Sequence, residues 1–289
     1  MAMTLTALLL AGTLAAPDGP GLRFIDVGQG SALLLVGPEG HAVMIDSGPP
    51  GAAEAVIHAL DLHGLLRIDL WIHTHFDADH VGGFGRVLAG ADGVLKTGDE
   101  VEVLALWDRG LDGAPETDAV AAYRQIAGER RSEARTGDHW EAPGLSLRLV
   151  ATGAPGPLAT ENARGLAICV EVGTLRVLVP GDLPAAQAAE AAADCGVVDV
   201  LWAAHHGGAD GTSAAVLSVA DPALVVISAG RDNLYCHPAP ITLARLSDRA
   251  VWISGLAGAG PLGACAGLAT SFGAQHRLLS GDLWLGAGD

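Results

Sequence analysis

Apolar residues along this chain fall into two kinds of spacing, which together predict an alternation of strands and helices. Short apolar runs separated by glycine turns in LRFIDVGQGSALLLVGPEGHAVMIDSG predict β-strands, with GPEG as a hairpin connection. Residues 52–66 have the apolar spacing of a helix, and two histidines in it, His58 and His63, are expected on the solvated face. After it, IDLWIHTH has the pattern of a buried strand, and HVGGFGRVLAG predicts the start of a helix that points back toward the end of that strand.

The rest of the chain repeats this alternation. A polar segment, TDAVAAYRQIAGERRSEAR, predicts a helix whose arginines, Arg131 among them, lie on a solvated face. Further apolar runs predict strands, and alanine-rich segments predict helices between several of them; the runs are LSLRLVAT, LAICVEVG, TLRVLVPGDL, VVDVLWAAHHGG and ALVVISAG. Because strands and helices alternate in both halves, a layered α/β domain is the expected architecture.

Size and composition agree with one large domain. With 289 residues, 50% hydrophobic content and 40 glycines, the chain can bury a sizeable core. Its formal net charge of −17 argues against a protein that holds nucleic acid or an anionic membrane by electrostatics alone, because such binding needs Lys and Arg to neutralise phosphates. Lys96 is the single lysine of the sequence. Strong electrostatic binding to nucleic acid is therefore not expected.

The first residues have the character of a targeting segment. Residues 1–16, MAMTLTALLLAGTLAA, carry no charged side chain and combine a leucine-rich stretch with small residues. The segment is too short to span a bilayer as a permanent anchor, so no transmembrane span is expected. It is similar to a secretory leader that lacks the usual basic start, which predicts export to the periplasm or secretion, with residues 1–20 as leader and linker. The alternative is a buried first strand of a cytoplasmic protein.

Cysteine placement predicts neither a zinc ribbon nor a disulfide framework. The cysteines are widely spaced and form no CxxC pair; they are Cys169, Cys195, Cys236 and Cys265. Buried free thiols are therefore the expectation.

Ligand-type side chains are concentrated in WIHTHFDADHVGG, where three histidines and two aspartates fall within eight positions after an apolar run. In an extended segment alternate side chains share one face, so His75, Asp77 and Asp79 are expected to converge, while His80 turns in at the bend. Histidine and carboxylate are preferred ligands of zinc and similar divalent ions, and a solvated surface does not explain four of them within six residues. The stretch predicts a metal site, with His73 in a structural role on the strand before it.

Polar residues also end the strands predicted in the second half. LVPGD ends at Asp182, and LWAAHH ends at His205 and His206. His237 follows in ISAGRDNLYCHP. Asp182 precedes a helix-like segment, so a helix cap is its alternative role, whereas two adjacent histidines are harder to explain without a ligand. Apolar strands that each end in a ligand-type residue indicate a site at one edge of a sheet.

Six motifs, in order along the chain, resemble the metallo-β-lactamase superfamily, whose signature is T-H-x-H-x-D-H; they are FIDVGQG, MIDSG, THFDADHVGG, PGDL, AAHHGG and ISAGRDNLYCHP. Within it they are most similar to the hydrolase domain of the competence proteins that take up DNA. The resemblance implies a four-layer αββα sandwich of the α/β class, with metal ions at the edge of its two sheets and hydrolysis by a metal-activated water. It places the hydrolase domain at residues 21–255 and a glycine-rich C-terminal extension, packed on the same domain, at residues 256–289.

The resemblance also implies roles for matching residues. A first metal site takes His75 and Asp77. A second takes Asp79 and His80, with Asp182 bridging the two ions.

Further positions follow from the same resemblance. One of His205 and His206 completes the second site and the other contacts the substrate or leaving group, and which does which stays open. Asp46 matches a position that orients ligands, and His237 matches a histidine near the substrate. The residues implied in catalysis are Asp79, His206 and His237.

The departures from the family pattern fall mainly on the first metal site. Asp77 stands where the signature has its second histidine, and Asn162, beside the ligands, takes the place of a histidine before LAICVEV. Ser31 replaces a common aspartate in DVGQGSA, and Cys236 replaces a common glycine. Fewer imidazoles and more oxygen ligands favour harder ions, so one or two divalent ions are expected, zinc first, with manganese or iron as alternatives.

Three functions remain open. The first is a metal-dependent hydrolase of a phosphodiester, including one in nucleic acid, which rests on the resemblance because a fold does not determine a substrate. The second is a small-molecule hydrolase acting on a lactone, β-lactam or thioester, which needs less basic surface. The third is a degenerate metal-binding scaffold without turnover.

Overall fold

The computed structural model describes residues 19–90, 100–153, 156, 159–231, 233–256 and 272–287. The predicted leader, residues 1–16, and Cys265 lie outside the described residues. The strands are β1 (Gly21–Phe24), β2 (Leu33–Val36), β3 (Ala42–Ile45), β4 (Arg67–His73), β5 (Glu102–Asp108), β6 (Arg131–Glu133), β7 (His139–Ala142), β8 (Leu145–Thr152), β9 (Leu166–Val172), β10 (Leu175–Val179), β11 (Val200–Trp202), β12 (Leu224–Ser228), β13 (Ala250–Ser254), β14 (His276–Leu278) and β15 (Leu283–Gly286). The helices are α1 (Ala53–Leu62), α2 (Ala78–Val81), α3 (Phe84–Leu88), α4 (Asp118–Ala127), α5 (Ala185–Cys195), α6 (Ala214–Ala220) and α7 (Pro240–Arg245).

The strands form two mixed sheets. The first has the order β15-β1-β2-β3-β4-β5-β6, and the second has the order β14-β13-β12-β11-β10-β9-β8-β7. Strands β3 to β6 run parallel, as do β10 to β14, while the remaining neighbours are antiparallel. None of the helices in the described ranges is long and apolar enough to cross a membrane. The carboxyl ends of the parallel strands are where loops with functional side chains are expected in such sheets.

The central strands of each sheet are buried on both faces, which explains their nearly continuous apolar runs in the sequence. Along β2, Leu33 and Leu35 point into the core between the sheets, whereas Leu34 packs with α1, α3 and α4 on the outer face. The outer face of the second sheet packs in the same way against α5, α6 and α7. Burying one such leucine contributes roughly 2 kcal/mol. The predicted four-layer αββα sandwich is confirmed.

Residues near the C terminus add one strand to each sheet. Strand β14 extends the second sheet beside β13, and β15 pairs antiparallel with β1, with Leu22 opposite Leu285. This pairing also brings Trp284 to within 4.9 Å of the ring of His63. His63 was expected to be solvated, and that expectation is wrong: the ring is half-buried and its Nε2 accepts a hydrogen bond from Arg23 Nε at 3.2 Å.

Two predicted helices are shorter than the segments from which they were predicted. HVGGFGRVLAG forms α2 and α3, separated at Gly82 and Gly83. A Cβ on Gly83 would lie 2.3 Å from the carbonyl oxygen of Ser47, so this backbone passes too close to the preceding loop for a larger residue. Helix α4 ends at Ala127, and Arg131 begins β6.

Arg131 does not lie on a solvated helix face, as had been expected from its acidic neighbours. Its Nε and Nη2 atoms donate to the two carboxylate oxygens of Asp108 at 2.5 and 2.7 Å. Asp108 is fully buried and also accepts the Tyr123 hydroxyl at 2.7 Å. A buried carboxylate without a partner costs free energy, so pairing with Arg131 stabilises Asp108.

The expectation of free thiols is wrong. Cys169 on β9 and Cys195 at the end of α5 form a disulfide, with their Cα atoms 5.6 Å apart. Cys236 is disulfide-bonded as well. The first pair is 26 residues apart and meets because α5 packs on the sheet, a relation that cysteine spacing does not reveal. A closed loop of this size contributes about 3 kcal/mol in the chain-entropy account.

Candidate metal centre

The loops after β4, β10 and β11 bring the predicted ligands together at one edge of the sandwich. Two groups of ligand atoms result, and within each group all atoms lie within 4.8 Å of one another. One group consists of His75, His80 and Asp182, and the other of Asp79, His80 and His206. His80 belongs to both groups and therefore lies at the middle of the cluster.

The orientation of His80 is set by Asp46, which follows β3. The Asp46 Oδ2 atom accepts a hydrogen bond from His80 Nδ1 at 2.7 Å, and the same carboxylate accepts both the backbone N–H and the hydroxyl of Thr74 at 2.8 Å. With its proton on Nδ1, a neutral His80 ring presents a lone pair at Nε2. That atom lies 3.4 Å from Asp182 Oδ1. Asp46 therefore has the orienting contacts that the resemblance implies for it.

His206 is held in the same tautomer by a different partner. Its Nδ1 lies 3.0 Å from the backbone carbonyl oxygen of Ser228, which can only accept, so Nδ1 carries the proton. The Nε2 atom lies 3.2 Å from Asp79 Oδ2 and 3.5 Å from Asp182 Oδ2. It therefore presents its lone pair to the same cluster.

His75 completes the set. The Thr74 hydroxyl donates its proton to Asp46, so its oxygen accepts from His75 Nδ1 at 3.1 Å. His75 Nε2 is buried and has no hydrogen-bond partner among the described residues. Leaving a buried acceptor unsatisfied costs about 1–3 kcal/mol, which a cation at this position would offset. Three imidazole lone pairs beside carboxylates are a donor set that fits a divalent ion.

Asp182 lies between the histidines rather than at a helix cap. Its carboxylate is 4.0 Å from His75 Nε2 and 3.8 Å from His205 Nε2, in addition to its contacts with His80 and His206. Helix α5 starts after Pro184 and receives no side-chain cap bond within the described chain. The capping alternative for Asp182 is therefore wrong.

Electrostatics in the cluster follow from close pairing of opposite charges. Burial alone would raise the pKa of the Asp182 carboxyl, but the charges of His80 and His206 hold it well below its usual range. The pKa of Asp79 is likewise lowered: burial opposes this, and the His206 hydrogen bond together with the charges of His80 and His206 outweighs burial.

The histidines respond in the opposite sense. Burial opposes a charge on His80, yet Asp182 and Asp46 raise its pKa well above the ordinary value. The pKa of His206 is also raised, with burial outweighed by Asp182 and by the Asp79 hydrogen bond. The carboxylates thus favour positive charge at this position, and metal binding would replace protons on these rings.

The residues that depart from the family pattern lie at the margin of the cluster. The Asp77 side chain is 41% exposed, with Oδ2 3.4 Å from His75 Nε2, and Asp77 belongs to neither ligand group. Asn162 Nδ2 lies 3.3 Å from His205 Nε2. That the first metal site is the weaker one stays a prediction.

The adjacent histidines both have left-handed backbone conformations, with φ of 52° at His205 and 53° at His206, and their side chains lie in different surroundings. His206 is buried against the cluster. The His205 side chain is 27% exposed, and its Nδ1 lies 3.1 Å from Asp210 Oδ1. His206 therefore belongs to a ligand group, whereas His205 lies partly exposed at the edge of the cluster.

His237 lies on the far side of His205, with ring centroids 4.9 Å apart. Burial lowers the pKa of His237 to about 4, and the neighbouring His205 adds to this. His237 is thus a neutral ring at the border of the cluster at pH 7.

His73, which was given a structural role, lies among aromatic rings. Its ring is 4.9 Å from that of Phe84 and 5.0 Å from that of Tyr123. Burial lowers its pKa to about 4. It belongs to neither ligand group, which agrees with a structural role.

Two glycines allow the loops of the site to approach each other. Gly30, in the DVGQG loop, has φ of 144°, and a Cβ there would lie 2.4 Å from the Asp79 carbonyl oxygen. The next residue, Ser31, donates its N–H to that oxygen at 3.0 Å. Gly181 has φ of 56° and turns the chain from β10 toward Asp182.

Sequence reasoning did not assign several residues that contact the site. Thr74 stands inside the T-H motif, so its role was readable there, whereas Asp210 and the Ser228 carbonyl are brought in by tertiary structure. Glu161, next to Asn162, accepts the Phe76 N–H at 2.8 Å and binds Arg109. It connects the 161–165 turn to the loop that carries the histidines.

The fold and the cluster define a four-layer sandwich with a metal-type site at the edge of its sheets. The family model of the metallo-beta-lactamase superfamily matches residues 25–231, and the chain belongs to this superfamily. The structure of the metallo-beta-lactamase fold protein YhfI from Bacillus subtilis superimposes with a TM-score of 0.54 at 11% identity, covering 83% of this chain and 98% of that one. At that identity the likeness shows the fold alone.

Curated relatives agree with the competence-like branch that the sequence motifs indicated. ComE operon protein 3 of Bacillus subtilis is 28% identical over 233 residues, which cover 74% of this chain and 29% of that protein. Recombination protein 2 of Haemophilus influenzae is 29% identical over 230 residues, covering 77% of this chain and 26% of that protein. The chain thus spans less than a third of the length of these relatives.

Proposed function

We propose that this chain is a metal-dependent hydrolase that cleaves phosphodiester bonds in nucleic acid. The observation that carries the proposal is the convergence of three imidazole Nε2 lone pairs, from His75, His80 and His206, beside the carboxylates of Asp79 and Asp182. Such a set fits one or two divalent ions, with zinc favoured by the imidazoles and manganese or iron by the carboxylates.

Residues around the cluster have separate tasks in this proposal. A divalent ion bound there supplies Lewis acidity, which lowers the pKa of water and stabilises negative charge on a phosphoryl oxygen. Asp46 and the Ser228 carbonyl fix the ring orientations of the ligands. His205, partly exposed and oriented by Asp210, faces the substrate oxygens, and the neutral ring of His237 borders the same space.

Nucleic acid is the favoured substrate because one curated relative is named Recombination protein 2 and another, from Neisseria gonorrhoeae and 25% identical, is named Competence protein ComA. The net charge of −17 favours the second candidate, a hydrolase of a small lactone, β-lactam or thioester, since such a substrate needs no phosphate-neutralising surface. The two candidates share the same metal centre and differ only in the bond cleaved.

Turnover of three substrates tests the proposal. The full chain is loaded with zinc or manganese and assayed on bis(p-nitrophenyl) phosphate, a lactone and nitrocefin, with Asp182→Asn as the matched inactive variant. Hydrolysis of the phosphodiester that is lost in Asp182→Asn supports it. Hydrolysis of the lactone or nitrocefin alone supports the small-molecule candidate, and metal binding without any turnover supports a scaffold.

We also propose that the protein works in an oxidising compartment outside the cytoplasm. The support is the Cys169–Cys195 disulfide together with the disulfide at Cys236, because such bonds persist in the periplasm and outside cells. Thiol labelling of the protein taken from its native host, before any reduction, is expected to leave Cys169 and Cys195 unlabelled. Labelling of both in freshly lysed cells contradicts the proposal.

A further inference from the structure

Tyr235 presents an exposed aromatic ring beside the metal centre. The residue is 71% exposed, in a chain where most large apolar side chains of the described residues are buried. Its ring lies against that of His237, with centroids 5.7 Å apart and planes inclined by 29°. One face of the ring is thus supported by the protein, and the rest is accessible to a ligand.

The segment that carries Tyr235 is closed by hydrogen bonds between the residues on either side of the tyrosine. The Asn233 side chain donates to the His237 carbonyl oxygen at 2.8 Å and accepts the His237 N–H at 2.8 Å. Cys236, the next residue after the tyrosine, is disulfide-bonded. A ring held in place loses less conformational entropy when it binds, which suits recognition rather than chance exposure.

A continuous series of rings leads from Tyr235 to the metal ligands. His237 contacts Tyr235 on one side and lies 4.9 Å from the His205 ring and 6.2 Å from the His206 ring on the other. If the phosphodiester of a substrate lies at the metal ligands, the chemical group next to that phosphodiester extends toward Tyr235.

The acidic net charge of the chain limits how the group next to the phosphodiester can be bound. With a net charge of −17, the chain cannot hold a polyanion through a broad phosphate-binding surface. Stacking of bases on aromatic side chains provides affinity without positive charge, and each stacked base is worth about fivefold in binding or more. Bases in a duplex are already stacked on each other, so a single strand is the ligand that fits.

We propose that Tyr235 stacks on a nucleobase of single-stranded nucleic acid whose phosphodiester lies at the metal centre. This inference rests on the proposed function and narrows its substrate class. Tyr235 is a specificity-determining residue here, and it takes no part in the bond cleavage.

Binding measured without turnover tests this. Fluorescence anisotropy of the full chain with EDTA compares a labelled single-stranded oligodeoxynucleotide with an oligomer of the same length in which every base is absent. The variants are Tyr235→Ala, Tyr235→Phe, which keeps the ring, and Leu234→Ala, which removes an 88% exposed neighbour without a ring. Hydrolysis of bis(p-nitrophenyl) phosphate by the metal-loaded wild-type chain is measured in parallel.

The wild-type chain is expected to bind the base-bearing strand about fivefold or more tightly than the abasic one. Tyr235→Ala should abolish that preference, while Tyr235→Phe and Leu234→Ala keep it. An unchanged preference in Tyr235→Ala, or wild-type protein that does not bind the base-bearing strand better, overturns the inference. Phosphodiester hydrolysis without a base preference refutes only the stacking, and a Tyr235-dependent preference without hydrolysis refutes only the proposed enzyme.

Discussion

The Nε2 atoms of His80 and His206 lie 3.2 Å apart, each on a ring whose other nitrogen is already engaged. His80 Nδ1 is bonded to Asp46 and His206 Nδ1 to the carbonyl of Ser228. Two lone pairs this close repel each other unless a proton or a cation lies between them. Asp79 and Asp182 supply negative charge at the same position, so this donor set fits a divalent ion.

Asp46→Asn is expected to weaken metal binding while the fold persists. The amide keeps the size of the side chain but loses the charged acceptor that orients His80, and loss of such an orienting partner typically lowers metal affinity about 10- to 100-fold. Competition with a chromophoric chelator measures the affinity. Asp69→Asn is the control, since Asp69 is a buried carboxylate that binds His41 instead of a ligand. Equal losses in both variants would indicate a general effect of a buried amide.

Replacing either of the adjacent histidines by alanine is expected to affect metal affinity and turnover differently. His206→Ala removes a buried ligand, so metal affinity should fall more than roughly 100-fold. His205→Ala should bind metal within about threefold of wild type and lose turnover, because its ring faces the substrate side. The chelator competition and the phosphodiester assay together separate the two effects. Loss of metal from His205→Ala with retention in His206→Ala would reverse their assignment.

Asp77→His is expected to strengthen zinc binding. Asp77 is the exposed carboxylate at the margin of the cluster, so the wild-type chain should retain closer to one ion than two after dialysis. Imidazole suits zinc and carboxylate suits harder ions, so the variant should retain more zinc and respond less to added manganese. Elemental analysis gives the stoichiometry. If the wild type already retains two zinc ions and the variant gains none, the first site is not weakened.

The candidate ligands and their order along the chain could be predicted from the sequence. The role of each one depends on tertiary structure. Asp46, Asp182 and the histidine motif were identifiable because strand ends place them at one sheet edge in a recognisable order. His205 and His206 were not separable from the sequence, because their different burial depends on the tertiary packing around them. Cys169 and Cys195 meet through packing of a helix on a sheet, and the stacking of Tyr235 on His237 depends on a fixed loop. Neither relation has a spacing that a sequence pattern displays.

His63 is expected to make stability depend on pH below neutrality. Its pKa is lowered from 6.5 to about 4 by burial and by Arg23, so the unfolded chain binds the proton more readily. The contribution is fully present above pH 6.5 and is lost as the pH falls toward 4. Because the ring is only half-buried, we expect about 1 kcal/mol after allowance for solvent screening. Denaturant unfolding of metal-free wild type and His63→Gln between pH 7 and pH 4 checks it, and identical pH profiles would contradict it.

Metal content after dialysis shows whether the cluster around Asp182 binds a divalent ion. Elemental analysis is performed on the full wild-type chain and on Asp182→Asn, with Asp199→Asn as control, since Asp199 binds the Arg176 N–H at the other end of β10. We expect about one divalent ion per chain in wild type and in the control, because an intact cluster holds its ion. Asp182→Asn should retain less than about a tenth of that, with circular dichroism unchanged. Two results would contradict metal binding by this cluster. One is wild-type protein that takes up neither zinc nor manganese, and the other is an Asp182→Asn variant that keeps its metal in full.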